Sequence, residues 1–114
     1  MSANFDHLLN ASDKLAESIR STARASQIVI DTSSKEGLSK EVAEQNLNKA
    51  LDELSASQER LDETTAILDS VDWSKIPVQI APDREFIYQT TAILQKDAQE
   101  LIDAINSALG KSTD

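Results

Sequence analysis

The stretch from Ser39 to Asp72, SKEVAEQNLNKALDELSASQERLDETTAILDSVD, decides the fold of this chain. Leucines recur in it every seven residues, which keeps them on nearly the same side of an α-helix. These leucines are Leu47, Leu54, Leu61 and Leu68. A second row with the same interval holds mostly small residues, namely Ala43, Ala50, Ser57, Thr64 and Val71. The pattern predicts a long helix whose apolar side must be buried.

The leucine row has two interpretations: a zipper between two copies of the chain, or the inner side of a helix within a bundle. Two-stranded zippers normally combine leucine with a second row of large, β-branched residues. The second row here is mostly too small to form such a core. Small residues facing leucines instead favour close antiparallel packing against other helices of the same chain. We therefore favour an intramolecular bundle and keep a homodimer as the alternative.

Apolar residues at helical spacing predict two further helices. The first covers about residues 4–30 and precedes a polar connection at 31–38 that contains a glycine. The third covers about residues 83–109 and ends just before Gly110, where a helix-terminating glycine belongs. With the central helix at 39–72 and a second connection at 73–82, the expected fold is all-α. It is an up-down-up antiparallel bundle of three long helices that forms a single domain over 1–114.

Composition narrows the class of function. The 114 residues include no cysteine, one histidine and two glycines. These counts exclude zinc–thiolate sites and cysteine nucleophiles, and they leave too few glycines for a phosphate-binding loop. The histidine, His7, falls in the first turns of the first helix, where no fixed catalytic partner is evident. We expect no catalytic residue, no metal ion and no cofactor, and hence a protein that is not an enzyme.

The charge of the chain is unevenly distributed. The formal net charge is −9, and residues 41–72 hold nine acidic side chains against two basic ones. No basic stripe is present, so direct binding to nucleic acid or to an anionic membrane is disfavoured. No apolar run approaches the length of a membrane span, and the first residues lack the features of a signal peptide. We expect a cytoplasmic protein whose partner is another protein.

Two surfaces are candidates for binding that partner. One is the connection at 73–82, which is unusually apolar and contains two prolines; its alternative role is to cap the end of the bundle. Its candidate residues are Trp73, Ile76, Val78 and Ile80. The other is the outward side of the central helix, whose alternative role is to keep that helix solvated. Its candidate residues are Asp52, Glu59, Asp62, Glu63 and Asp69.

Two functions are consistent with these features. The leading hypothesis is a small non-enzymatic interaction protein, a subunit, adaptor or chaperone-like partner, that uses a helical face and the apolar linker. The alternative is an acidic inhibitor that occupies a basic surface of a nucleic-acid-handling or effector enzyme. The two differ in the expected effect of salt, because attraction between exposed charges is screened while apolar contact is not.

Overall fold

The computed structural model describes residues 3–77 and 83–110, and within these ranges the chain is almost entirely helical. The helices are α1 (Ala3–Ser34), α2 (Lys40–Ser70) and α3 (Asp83–Ala108), and a short 3-10 turn (Trp73–Lys75) follows α2. The predicted all-α bundle of three long helices is confirmed.

The start of α2 follows from its first residues. The Ser39 side chain accepts a hydrogen bond of 3.2 Å from the backbone N–H of Val42, which satisfies a donor that the helix itself leaves unpaired. Glu41 lies in the first turn, where a carboxylate interacts favourably with the helix dipole. Ser39 is therefore the N-cap of α2.

The end of α1 differs from the prediction. The helix continues through Ser34, four residues beyond the expected end at residue 30, so the expected connection at 31–38 is shorter. The Ser34 hydroxyl donates to the carbonyl oxygen of Ile30 at 2.8 Å, and Gln27 donates to the Asp31 side chain at 2.8 Å. These bonds satisfy polar groups locally, so the short polar side chains do not end the helix. Gly37 makes the turn, with a φ of +75° that favours glycine.

The packing of α1 against α2 is antiparallel along the full length of the two helices. Near one end, the Asn4 side chain accepts a hydrogen bond from the backbone N–H of Asp72 at 3.1 Å. Further along, Lys14 forms a 2.8 Å ion pair with Glu63. Residue numbers thus rise on α1 as they fall on α2, which is the predicted up-down arrangement.

The third helix packs antiparallel to α2. Gln95 donates to the Asp62 carboxylate at 2.8 Å, and the Gln58 amide donates to Gln99 at 3.0 Å. These contacts lie on the opposite side of α2 from its ion pairs with α1. The order is therefore up-down-up, with α2 in contact with both of its neighbours.

The bundle is long, and its helices pack unequally on one another. Its principal extents are 57 × 27 × 18 Å and its radius of gyration is 17.4 Å, against about 13 Å for a compact domain of this length. Contacts between α1 and α3 are sparse among the described residues. Consequently α2 is the central element, and side chains of α1 and α3 meet in the core at one end of the bundle, around Ala25 and Ala98.

The core contains both rows of α2. Leu54, Leu61 and Leu68 are at most 1% exposed, whereas Leu47 near the end of the bundle is half-buried. The small row is buried with them at Ala50, Ser57, Thr64 and Val71. On α1, the facing positions are also small, namely Ala11, Ser18 and Ala25. Small side chains on both helices permit the close packing that the sequence predicts.

Candidate functional site

The leucine row is enclosed by the chain itself. Because Leu54, Leu61 and Leu68 are buried by α1 and α3, no partner can reach them while the bundle is folded. The intramolecular interpretation of this row is thereby favoured. A zipper between two copies through the same leucines would require the bundle to open.

The five candidate carboxylates do not form one free surface. All lie on the outer half of α2, but three already bond to neighbouring helices. Asp62 accepts a hydrogen bond from Gln95, and Asp69 accepts one from Tyr88 at 2.7 Å. Glu63 is held between two cations, as described below. Only Asp52 and Glu59 are exposed and make no side-chain bond within the described part of the chain.

Glu63 belongs to an ion-pair network on the α1–α2 side. Its carboxylate lies 2.8 Å from Lys14 Nζ and 3.0 Å from Arg60 Nη1, and Arg60 also pairs with Glu17 at 3.0 Å. The hydrogen bond from Lys14 is the main reason that the pKa of Glu63 lies below its ordinary value. The carboxylate therefore joins the two helices and is not free to meet a partner.

The linker is divided between core and surface. Ile76 is 7% exposed and contributes to the end of the core, as the capping interpretation predicts. Trp73 is half-buried, and the Arg84 guanidinium lies 5.1 Å from the centre of its ring. Val78 and Ile80 lie outside the described residues. Of the candidate linker residues that the structure describes, Ile76 is buried and Trp73 is partly exposed.

A small cluster links the linker to α3. Arg84 lies 5.9 Å from the centre of the Tyr88 ring as well as over Trp73, a cation–π arrangement. Partial burial, followed by the hydrogen bond to Asp69, raises the pKa of the Tyr88 hydroxyl. The nearby Trp73 N–H weakly opposes this rise in the pKa of Tyr88. The same N–H makes no hydrogen bond of ordinary geometry within the described structure. The cluster fixes the start of α3 against the end of α2.

The outward sides of α1 and α3 carry exposed apolar side chains, which we call the open face and which the sequence analysis does not predict. Large apolar side chains are exposed on both helices: Ile19 at 48%, Ile30 at 58%, Phe86 at 69% and Ile93 at 59%. Ile19 follows the buried Ser18, so it is rotated by about 100° from the direction of α2. Ile93 lies two residues after the buried Thr91 and two before Gln95, which bonds to α2, so Ile93 points away from α2. On α1, the sequence feature that goes with this surface is a second row with a seven-residue interval, which consists of Phe5, Ser12, Ile19 and Ser26.

The described residues contain no group of three or more His, Asp or Glu side chains that could hold a metal ion. His7 is exposed on the first turns of α1. None of the helices, over the residues described, combines the length and apolar character needed to cross a membrane. No protein-family model, curated protein or solved structure matches the chain.

Proposed function

We propose that this chain is a small non-enzymatic protein–protein interaction module, acting as a subunit, adaptor or chaperone-like partner in the cytoplasm. The observation that carries the proposal is the open face of α1 and α3. A bundle whose leucines are already buried still exposes Ile19 and Ile30 on α1 and Phe86 and Ile93 on α3. Apolar surface grouped in this way is typical of an interaction site.

Energetics support a helical partner on this face. Burying the exposed half of one isoleucine contributes about 1 kcal/mol, and the open face holds several such side chains. The bundle is already supported by its buried leucines, so these residues are not required to complete its core. A partner helix laid along α1 or α3 would cover these side chains by the same packing that joins α1 to α2.

The linker contributes a second contact in this proposal. Trp73 is half-buried and stacked on Arg84, so part of a large aromatic surface is held in a defined orientation. Residues of this type are frequent among binding hot spots, and a fixed side chain loses little entropy on binding. Ile76 supports the contact from within the core and is not itself presented.

A second candidate function is that of an acidic inhibitor. It is favoured by one observation: Asp52 and Glu59 are exposed on the most acidic helix and have no side-chain partner within the described part of the chain. Against it, Asp62, Glu63 and Asp69 are engaged by neighbouring helices. This candidate predicts a partner with a basic surface and binding that weakens steeply with salt.

A capture experiment separates the two candidates. Tagged wild-type chain is used as bait in extract of the source cells at low and at high salt, beside Ile93→Asp and the control Val42→Asp. Val42 is 43% exposed on α2, so the control introduces the same charge at a similar exposure away from the open face. The interaction module retains its partner at high salt and in the control, and loses it in Ile93→Asp.

The acidic inhibitor gives the opposite pattern. Its partner dissociates at high salt, binds Ile93→Asp normally and is lost from the double variant Asp52→Asn, Glu59→Gln. Partner binding that survives Ile93→Asp at high salt contradicts the open face as the binding surface.

A further inference from the structure

A crevice lies at the end of the bundle where α1 and α3 end and α2 begins. Its volume is about 130 Å³, and residues of all three helices line it. We call it the end crevice; its walls include Val29 of α1, Leu47 of α2, and Leu101 and Ile105 of α3. Leu47 is the one member of the leucine row that is not buried, so the core is incompletely filled at this end of the bundle.

The walls of the end crevice are uncharged. None of its lining residues is acidic or basic, although 27% of the chain is charged. Two larger crevices, of about 370 Å³ and about 460 Å³, lie between α1 and α2. Charged side chains line both of them, and some of these charges are already paired, as Arg24 is with Glu53. Of the three crevices, the end crevice is therefore the one suited to a neutral apolar molecule.

The volume of the end crevice sets the size of that molecule. An apolar cavity of about 150 Å³, engineered in another protein, binds benzene. The end crevice has a similar volume, so it accommodates one six-membered ring or a short alkyl chain and not a drug-sized ligand. Ser33, Ala104 and Ala108 line the crevice and are exposed, so a ligand can enter from solvent while the bundle stays folded.

Two hydroxyl groups belong to lining residues and are unused. Thr32 is half-buried and Ser33 is exposed, and neither side chain forms a hydrogen bond with any residue that the structure describes. Three other threonines, Thr64, Thr65 and Thr91, each donate to the carbonyl oxygen four residues earlier in their helix. The end crevice thus combines apolar walls with hydroxyls that remain available as hydrogen-bond donors or acceptors.

We propose that the end crevice binds a small neutral amphiphile of the phenol or short-alkanol class. Its apolar body contacts Val29, Leu47 and Ile105, and its hydroxyl bonds to Thr32 or Ser33. This inference is independent of the proposed function, because it concerns the end of the bundle and not the outward sides of α1 and α3.

The chemistry of the walls excludes other occupants. A ligand with a carboxylate or an ammonium group would lose its hydration without meeting an opposite charge, since no lining residue is charged. A purely apolar ligand would leave the Thr32 and Ser33 hydroxyls unused. Residues 111–114 of the chain have no apolar side chain, so they do not supply the occupant.

Titration of the purified full chain with phenol, followed by NMR of methyl groups, tests the proposal. The signals of Val29, Leu47 and Ile105 should shift saturably, with a Kd on the order of 1 mM for a ligand with so few atoms. Leu68, which is buried near the opposite end of α2, should not shift. Absence of a saturable shift at the end crevice, or equal shifts at Leu68, overturns the proposal.

Comparison with toluene tests the role of the hydroxyls, because toluene replaces the phenol hydroxyl by a methyl group of similar size. The variant Thr32→Val, Ser33→Ala removes both hydroxyls from the walls. The ratio of the toluene Kd to the phenol Kd should fall about tenfold in this variant, which corresponds to one lost hydrogen bond. An unchanged ratio, with helical content equal to that of wild type by circular dichroism, overturns the amphiphile as the class of ligand.

A space-filling substitution tests the location. Ala104→Leu enlarges a side chain of the wall and should weaken phenol binding about tenfold or more, because the ligand and the new side chain compete for the same volume. The matched control is Ala92→Leu, which is also exposed on α3 but does not line the end crevice. The control should bind phenol as wild type does. Equal phenol binding by the two variants places the ligand elsewhere and overturns the proposal.

Discussion

The hydroxyl of Ser18 on α1 lies 2.7 Å from the hydroxyl of Ser57 on α2, and both residues are fully buried. Thr22 on α1 bonds to the same Ser57 oxygen at 2.7 Å, and the Ser57 hydroxyl lies 3.1 Å from the Ser18 carbonyl oxygen. The Ser57 hydroxyl can donate to that carbonyl and accept from the other two hydroxyls. One small residue on α2 thus joins the two helices at mid-length by hydrogen bonds instead of by apolar packing.

Ser57→Ala is expected to destabilise the bundle by about 1–3 kcal/mol, because two hydroxyls on α1 lose their shared partner in a buried site. Denaturant unfolding followed by circular dichroism measures the change. The matched control is Ser55→Ala on the exposed side of the same helix, which should alter stability by less than about 0.5 kcal/mol. Equal effects of the two substitutions would show that the buried hydroxyl network does not stabilise the fold.

The leucine row should contribute unequally along its length. Leu61→Ala removes a side chain that is 0% exposed and should cost about 2–5 kcal/mol, which includes the cavity that remains. Leu47→Ala should cost less, because Leu47 is half-buried near the end of the bundle. Chemical denaturation of the two variants gives the comparison. A larger loss for Leu47→Ala would mean that the core is centred elsewhere.

Tyr88 should titrate above its ordinary pKa. Partial burial and the Asp69 carboxylate disfavour the phenolate, so the folded state holds this proton more tightly than the unfolded state. The resulting stabilisation is present below the unfolded pKa and is lost as pH rises through the folded pKa. Tyr88 is the only tyrosine, so ultraviolet absorbance reports it alone. Asp69→Asn should move the midpoint toward lower pH; an unchanged midpoint would leave burial as the cause.

Glu63 should contribute to acid sensitivity. The Lys14 ammonium and the Arg60 guanidinium lower the pKa of this carboxyl in the folded state. The stabilisation is therefore present above the unfolded pKa and is lost as pH falls through the folded pKa. Thermal unfolding of wild type and Glu63→Gln across the acidic range measures this loss. The variant should be less stable at neutral pH, and the difference should shrink in acid; a constant difference would assign the effect to packing.

Much of the fold is predictable from local patterns. The two rows of α2 identify the buried side of that helix, since three of the four leucines and four of their five small companions are buried in the structure. The N-cap at Ser39 and the positive φ of Gly37 and Gly110 likewise follow from residue type. The end of α1 does not, because Ser34 bonds back to its own helix and extends it through a polar sequence that resembles a turn.

The candidate surfaces are less predictable than the helices. Counting charge identifies α2 as acidic, but only the packing shows that Asp62, Glu63 and Asp69 bond to neighbouring helices. The linker pattern identifies an apolar connection, but only the structure buries Ile76 and leaves Trp73 partly exposed. The bonding of exposed polar groups depends on which helix lies beside them, and that information is not local.

The sequence by itself determined three helices, their antiparallel order and the inward side of α2, because a seven-residue interval of apolar residues has one solution on a helix. Only the tertiary structure decided that α3 packs mainly on α2 and that Ile19 of α1 stays half exposed. The physical reason is that α1 carries two apolar sides, at Ser18 and at Ile19. The sequence shows that both are apolar, but which one meets α2 depends on the fit of side chains from different helices.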